Sequence, residues 1–315
     1  MSRVLVTGAT GYVGSRLIPA LLEAGHEVLA ATRDEEALDG YPWGDEVEAR
    51  QFDITDEELV AAAVRGVDAV VYLVHSMGDG DFVRKDREAA ELVARASDDA
   101  GVGRIVYLSG LVPPGKLSDH LRSRAEVEQV FLDAPVPATV LRAAMIVGAG
   151  STSFELLRRL SDRLPITPVP RWMNRRLQPV AVEDVVHVLL AAIGGEPRNR
   201  HYDLGADEVL TYPQLLARYA EVAGLRRRRP VVPGVPMWLV GRASALLTGM
   251  PRGTVKALAE SLSHDMVCEE DDVRRDLVPG HTFTGLDEAI ARSLGVRGGT
   301  SHAGDVQAGA PTDPA

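Results

Sequence analysis

The chain has 315 residues, 45% of them apolar and 25% charged, enough for one large domain or two joined ones with a core of their own. That usage excludes a mainly disordered, collagenous or disulfide-framed protein, and its one cysteine, Cys268, can make neither an internal disulfide nor a thiolate zinc site. A formal net charge of −11 repels phosphates, so no nucleic-acid partner is expected.

No uninterrupted apolar run reaches the ~20 residues of a spanning helix. No secretory leader is visible before Val4, and a reducing cytoplasm is the expected location. Arg3–Thr7 reads as a first strand. Gly14–Ala24 reads as a helix with Leu17, Ile18, Leu21 and Leu22 on one face. Glu27–Thr32 and Val47–Phe52 are the next strands. Thr55 is the expected cap of a helix over Asp56–Val64. Strands follow at Asp68–Val74, Arg104–Ser109 and Ala138–Val147, with a long polar helix over Phe82–Ala100. Apolar strands alternating with helices predict an α/β fold, a doubly wound parallel sheet. That domain spans residues 1–150.

After Gly148 the pattern changes. Helices are expected at Phe154–Leu164, Val182–Ile193 and Tyr212–Ala223, with a strand at His201–Gly205 and an irregular stretch at Pro165–Arg176. Residues 151–297 therefore form a smaller, mainly helical C-terminal lobe, with segments returning to the first sheet. Residues 298–315, poor in apolar bulk, are expected to be disordered. Trp172, Met173, Met237, Trp238, Leu239 and Leu246 are candidates for an apolar substrate pocket in this lobe, although ordinary core packing explains them as well. Arg226–Arg229 beside the apolar run Met237–Met250 leaves peripheral membrane contact open, with a solvated charge run as the plainer reading.

The most specific signal is Thr7-Gly8-Ala9-Thr10-Gly11-Tyr12-Val13-Gly14 between the first strand and its helix. Gly8 permits a tight turn, Gly11 admits a pyrophosphate, and Gly14 lets helix and strand pack closely. Amides at the helix start then face the anion. With Tyr72–Met77, His120–Glu128 and Gln178–Val186, this turn resembles the extended and atypical short-chain dehydrogenase/reductases, including their NmrA-like branch. The resemblance covers roughly residues 1–295. It implies a Rossmann domain that binds NAD(P)H.

Residues Gly8, Thr10, Gly11, Tyr12, Val13 and Gly14 would hold the pyrophosphate. Asp53 and Ile54 would meet the adenine, and Leu73, Val74 and His75 would pass the adenosine. Ala143 and Met145 would lie by the nicotinamide. Thr32 stands where NAD-using relatives carry an acid, and Arg33 follows it. A guanidinium suits a ribose 2′-phosphate, so NADP(H) is favoured over NAD(H), with the adjacent Asp34 as counter-evidence.

Ser109 matches the family serine, but no Tyr-x-x-x-Lys follows it. His120 and Arg124 occupy the equivalent face. Three readings stay open: His120 donates the proton; the donor lies elsewhere or no strong acid is needed; or the site is not catalytic. The resemblance therefore implies an NADPH-dependent oxidoreductase acting on an apolar carbonyl, enone or quinone. The alternative is a non-catalytic NADP(H) sensor of the NmrA-like kind. An epimerase or dehydratase is a weaker third reading. Asp184 reads as a structural anchor. No metal site is expected, Cys268 is assigned no role, and a homodimer is possible from the resemblance.

Overall fold

The computed structural model describes residues 1–75, 81–228 and 230–295. The expected tail, and Ser76 and Met77 of the fourth strand's motif, lie outside them. Seven strands form one all-parallel sheet. They are β1 (Arg3–Thr7), β2 (Glu27–Thr32), β3 (Glu48–Gln51), β4 (Ala69–Tyr72), β5 (Arg104–Gly110), β6 (Ala138–Ala143) and β7 (Arg200–Leu204). Their spatial order is β7-β6-β5-β4-β1-β2-β3. The order reverses beside β1, between β1 and β4, which is where a doubly wound sheet opens a ligand crevice at its carboxyl edge.

Helices cover both faces. Helix α1 (Gly14–Glu23) lies on one face, with α2 (Glu57–Ala63), α3 (Phe82–Asp99) and α4 (Asp119–Asp133) on the other. Helix α5 (Thr152–Arg163) starts the C-terminal lobe, and α6 (Val182–Gly194) returns to pack with α1. The lobe continues with α7 (Tyr212–Val222), α8 (Met237–Thr248), α9 (Arg252–Ser261), α10 (Asp272–Asp276) and α11 (Leu286–Ser293). Strand alternation explains the two cores. Val4 and Val6 join the α1–α6 side, and Leu5 joins the α2–α4 side. A third core, including Phe154, Leu157, Leu215, Tyr219 and Ile290, sits under the lobe.

Three local expectations are corrected. Helix α2 is capped by Asp56, whose carboxylate accepts from the amides of Glu58 and Leu59 at 3.0 and 3.1 Å. Thr55 instead bonds Asp53, its hydroxyl 2.7 Å from the carboxylate. The stretch read as one strand, Ala138–Val147, is two. After Ala143 the chain leaves the sheet, and Ile146–Val147 pairs in parallel with Val180–Ala181. The Val180 amide bonding Met145 O at 3.0 Å draws it away. The bend places residues 143–145 along the crevice. The stretch expected to be irregular carries a short helical turn at Arg171–Met173. It also makes two-residue pairings of Val169–Pro170 with Val231–Val232 and of Arg176–Leu177 with Leu210–Thr211.

Arg142 on β6 forks onto Glu128 of α4, with N···O distances of 2.6, 2.9 and 3.1 Å. Glu128 is 4% exposed, so this pair fixes α4 against the sheet at a buried point. Gly14 fixes α1 in another way. A Cβ there would lie 2.2 Å from Gly8 O, so helix and strand touch backbone to backbone. At Gly11 a Cβ would meet only Gly8 O, at 3.1 Å. Gly14→Ala is expected to lower unfolding stability by about 1–3 kcal/mol, through overpacking, and Gly11→Ala by less than about 1 kcal/mol. Denaturant titration of both variants checks the contrast, and equal losses would contradict it.

Candidate functional site

The carboxyl ends of β1, β4, β5 and β6 open into one cleft of about 330 Å³. It is lined by Gly8, Gly11, Tyr12, Val13, Gly14, Leu73, His75, Ser109, His120, Arg124, Ala143 and Met145. Twelve residues picked from the sequence thus share one wall. Thr10, Arg33, Asp53, Ile54 and Val74 are not on it.

The glycine turn is held from behind. Gly8 takes φ +69°, a left-handed conformation that glycine adopts without strain. The Gly11 amide bonds Gly8 O at 2.9 Å. Tyr41 donates its hydroxyl to Thr10 O at 2.9 Å, and Trp43 donates its indole N–H to Ser15 O at 3.2 Å. Buried Arg16 donates to Tyr12 O at 2.9 Å and to Ala149 O at 2.8 Å, tying the turn to the entrance of the second lobe. The turn's carbonyls are occupied on the far side, and no side chain caps α1. The amides of Ser15, Arg16 and Leu17 bond Gly11 O and Val13 O at 2.9–3.1 Å, which leaves those of Val13 and Gly14, at the helix start, to meet an anion. The Cβ-free surface at Gly11 faces the cleft, so a dinucleotide's pyrophosphate fits this cradle.

At the adenosine end, Arg33 is exposed just past β2. Asp34 accepts from the Glu36 amide at 3.1 Å, and its backbone closes on the Thr32 hydroxyl at 2.9 and 3.1 Å. The acid that would oppose a 2′-phosphate therefore serves its own turn. Asp53 accepts from the amide and hydroxyl of Thr55, which hold its carboxyl below the usual range, with a smaller contribution from Arg33. One of its oxygens is thus already committed to the loop.

The other polar end of the cleft is built by β5 and α4. Ser109 is buried at the end of β5 and lines the cleft. Ser118 caps α4, its Oγ 3.4 Å from the Leu121 amide, and sets His120 and Arg124 one turn apart. The carboxylates of α4 are engaged elsewhere: Asp119 and Glu126 with Arg122, Glu128 with Arg142. No carboxylate among the described residues pairs with Arg124. Burial, then the Arg124 charge, lowers His120 to about 4. The Arg124 charge, then crowding by protein atoms, then His120, holds His75 well below the ordinary imidazole range. Both imidazoles are neutral at neutral pH. Sequence reasoning started from an ordinary imidazole near 6.5, and it missed this shift because the cation acts through space.

It also missed Tyr107. Two residues before Ser109, it shares a face of β5 with that serine, so strand alternation could have found it. Burial raises its pKa, against the opposing pull of Arg124 and Ser109, so its hydroxyl stays protonated.

The second lobe closes the cleft with Leu156, Leu177, Tyr212, Leu258, Leu262 and Met266. These replace the pocket residues expected from the sequence. Met173 packs in the lobe's core, and Trp172 donates to Val235 O at 2.8 Å. Trp238, Leu239 and Leu246 point outward, 63%, 45% and 85% exposed. The signal overlooked was Val255, Leu258 and Leu262, at helical spacing on α9. Asp184 anchors structure, accepting from His281 Nε2 and from the Thr284 amide, both at 2.8 Å. Burial and nearby acids push Cys268 up to about 12.

Comparison with known proteins agrees with this geometry. Residues 8–158 match a family described as NAD(P)H-binding. The chain is 27% identical over 221 residues to the mitochondrial NADH dehydrogenase [ubiquinone] 1 alpha subcomplex subunit 9 of Arabidopsis thaliana. That match covers 67% of this chain but only 55% of the relative, so the chain spans about half of that protein. It is 29% identical over 257 residues to sterol demethylase protein B of Methylococcus capsulatus, covering 73% of this chain and 77% of the relative. Among solved structures, the Citrobacter triphenylmethane reductase complexed with NADP(H) superposes with a TM-score of 0.74 at 21% identity. That superposition covers 92% of this chain and all of the other, a likeness of fold. The likeness is thus to an NAD(P)H-binding family over just under half of the chain, and to solved structures in fold alone.

Proposed function

We propose that the protein is an NADPH-dependent oxidoreductase whose acceptor is an apolar carbonyl, enone or quinone-like molecule. The observation that carries this reading is the single cleft itself. It is lined together by the glycine turn, by Arg124, which has no carboxylate partner among the described residues, and by the aliphatic side chains of the second lobe. Bound NADPH would supply a hydride. Arg124 stands ready to stabilise the negative charge that develops on the acceptor oxygen, because it is already charged and needs no reorganisation. Ser109 and neutral His120 orient that oxygen by hydrogen bonding. With His120 lowered to about 4, no imidazolium serves as general acid at neutral pH, and the proton comes from water. An enone or quinone suits such a site, since its reduced form is a stabilised anion.

The low imidazole pKa values also favour a second reading, a binding protein that senses NADP(H) without turning it over. A panel of quinones and enones, followed by loss of NADPH absorbance, separates the two. Turnover supports the first reading, and tight binding without turnover of any acceptor supports the second.

In a turning-over enzyme, Arg124→Gln is expected to lower kcat by ~10²–10³, with partial recovery in Arg124→Lys. The pH profile of kcat is expected to be flat between about pH 5.5 and 8. His120 gains its proton only as pH falls toward about 4, and a limb near 6.5 would reject its neutral role. Arg33→Ala is expected to weaken NADPH about tenfold or more while leaving NADH unchanged, as loss of a charge-assisted phosphate contact requires. Calorimetric titration measures both.

A further inference from the structure

The chain's charge is segregated. Residues 163–182 and 222–259 hold eleven of the 34 Lys and Arg and none of the 45 Asp and Glu. The fold brings these two segments together. Val169–Pro170 pairs with Val231–Val232, the Thr167 amide bonds Arg228 O at 2.9 Å, and Arg163 donates to Leu247 O at the end of α8. Arg176 pairs with Asp265 and Lys256 with Glu260, and the other nine cations leave this region cationic in a protein of net charge −11.

Helix α8 lies in that region. It buries Ser244, Ala245 and Thr248 and packs beside α5 and α9. Its opposite side is bare: Trp238, Leu239, Leu246 and Leu247 are 63%, 45%, 85% and 39% exposed. Their spacing, two pairs eight residues apart, forms one stripe two turns long, with exposed Arg242 between them. Ile166 and Val231, 52% and 53% exposed, add apolar surface beside it. Arg226, Arg228, Arg242 and Arg252 are exposed, and none is ion-paired with a carboxylate among the described residues.

We propose that this face docks on an anionic lipid surface, with α8 lying in the interface. The stripe is a ridge of Trp and Leu rather than a groove that could accept a peptide. Base stacking or groove reading would find only one aromatic ring, Trp238. An aliphatic and indole ridge ringed by guanidinium groups fits the boundary between acyl chains and phosphate headgroups, where long arginines reach back to the anions. The rest of the chain, strongly acidic, is repelled by the same surface, and this fixes the orientation. Helix α9, packed on α8, carries Leu258 and Leu262 into the cleft, so docking sets the cleft's apolar wall beside the bilayer. The docking rests on this surface alone and stands whether or not the cleft is catalytic.

Co-sedimentation of the full chain with phosphatidylcholine vesicles, with and without added phosphatidylglycerol, tests this. Binding is expected only to the anionic vesicles, weakening as salt is raised, with a blue shift of Trp emission. The pair Trp238→Asp and Leu246→Asp, and separately Arg226→Glu with Arg228→Glu, are each expected to weaken binding about tenfold or more. All four positions are on the surface, and unchanged thermal melting verifies folding. Equal binding to neutral vesicles, no binding to either, or unchanged binding by both variants would overturn the proposal. So would self-association abolished by Leu246→Asp in a chain that ignores vesicles, which would assign the ridge to a second copy.

Discussion

Helix α1 meets strand β1 backbone to backbone, and the geometry of the cleft follows from that contact. A Cβ at residue 14 would overlap Gly8 O at 2.2 Å, so only glycine lets the helix start where it does. That start leaves the amides of Val13 and Gly14 at the carboxyl edge of the sheet, with no side chain capping the helix. Arg16 then transmits the placement to the second lobe through Tyr12 O and Ala149 O. The Arg142–Glu128 fork does the same for α4 on the other face. Two rigid attachments therefore set the distance between the anion cradle and the polar group of β5 and α4.

The second organising feature is the charge of Arg124. Asp119, Glu126 and Glu128 of α4 pair with Arg122 and Arg142, no carboxylate among the described residues pairs with Arg124, and its charge lowers the pKa of both His75 and His120. Near neutral pH the site holds neutral imidazoles beside a guanidinium. It is better suited to holding negative charge than to giving up a proton. Where the short-chain dehydrogenase/reductases that the sequence resembles carry a tyrosine and a lysine, this chain places His120 and Arg124.

Much of this was legible in the sequence because backbone rules are local. Glycines at 8, 11 and 14 after an apolar strand announce the turn, and alternation of strand and helix announces the sheet. Ser109, His120 and Arg124 were legible through the resemblance, at the places where that family carries a serine, a tyrosine and a lysine, and helix spacing puts the last two on one face. The sequence could not show which apolar residues of the second lobe face inward. Trp238 and Leu246 look like core by composition, yet they sit on the outer side of α8, because Ser244, Ala245 and Thr248 make the tighter packing surface. The pKa of His120 was equally hidden, since burial and a cation brought close by the fold set it. The break after Ala143 depended on Val180, a strand partner some thirty-five residues on.

The central claim is that the glycine turn and Arg33 hold the phosphates of NADPH at the edge of this cleft. Titration of the wild-type chain and Gly11→Val with NADPH and NADH, followed by calorimetry, tests it most directly. The account predicts that the wild type binds NADPH more tightly than NADH, and that Gly11→Val melts like the wild type but binds neither. Binding of NADPH by Gly11→Val at wild-type strength, or no binding of either nucleotide by the wild type, would contradict it.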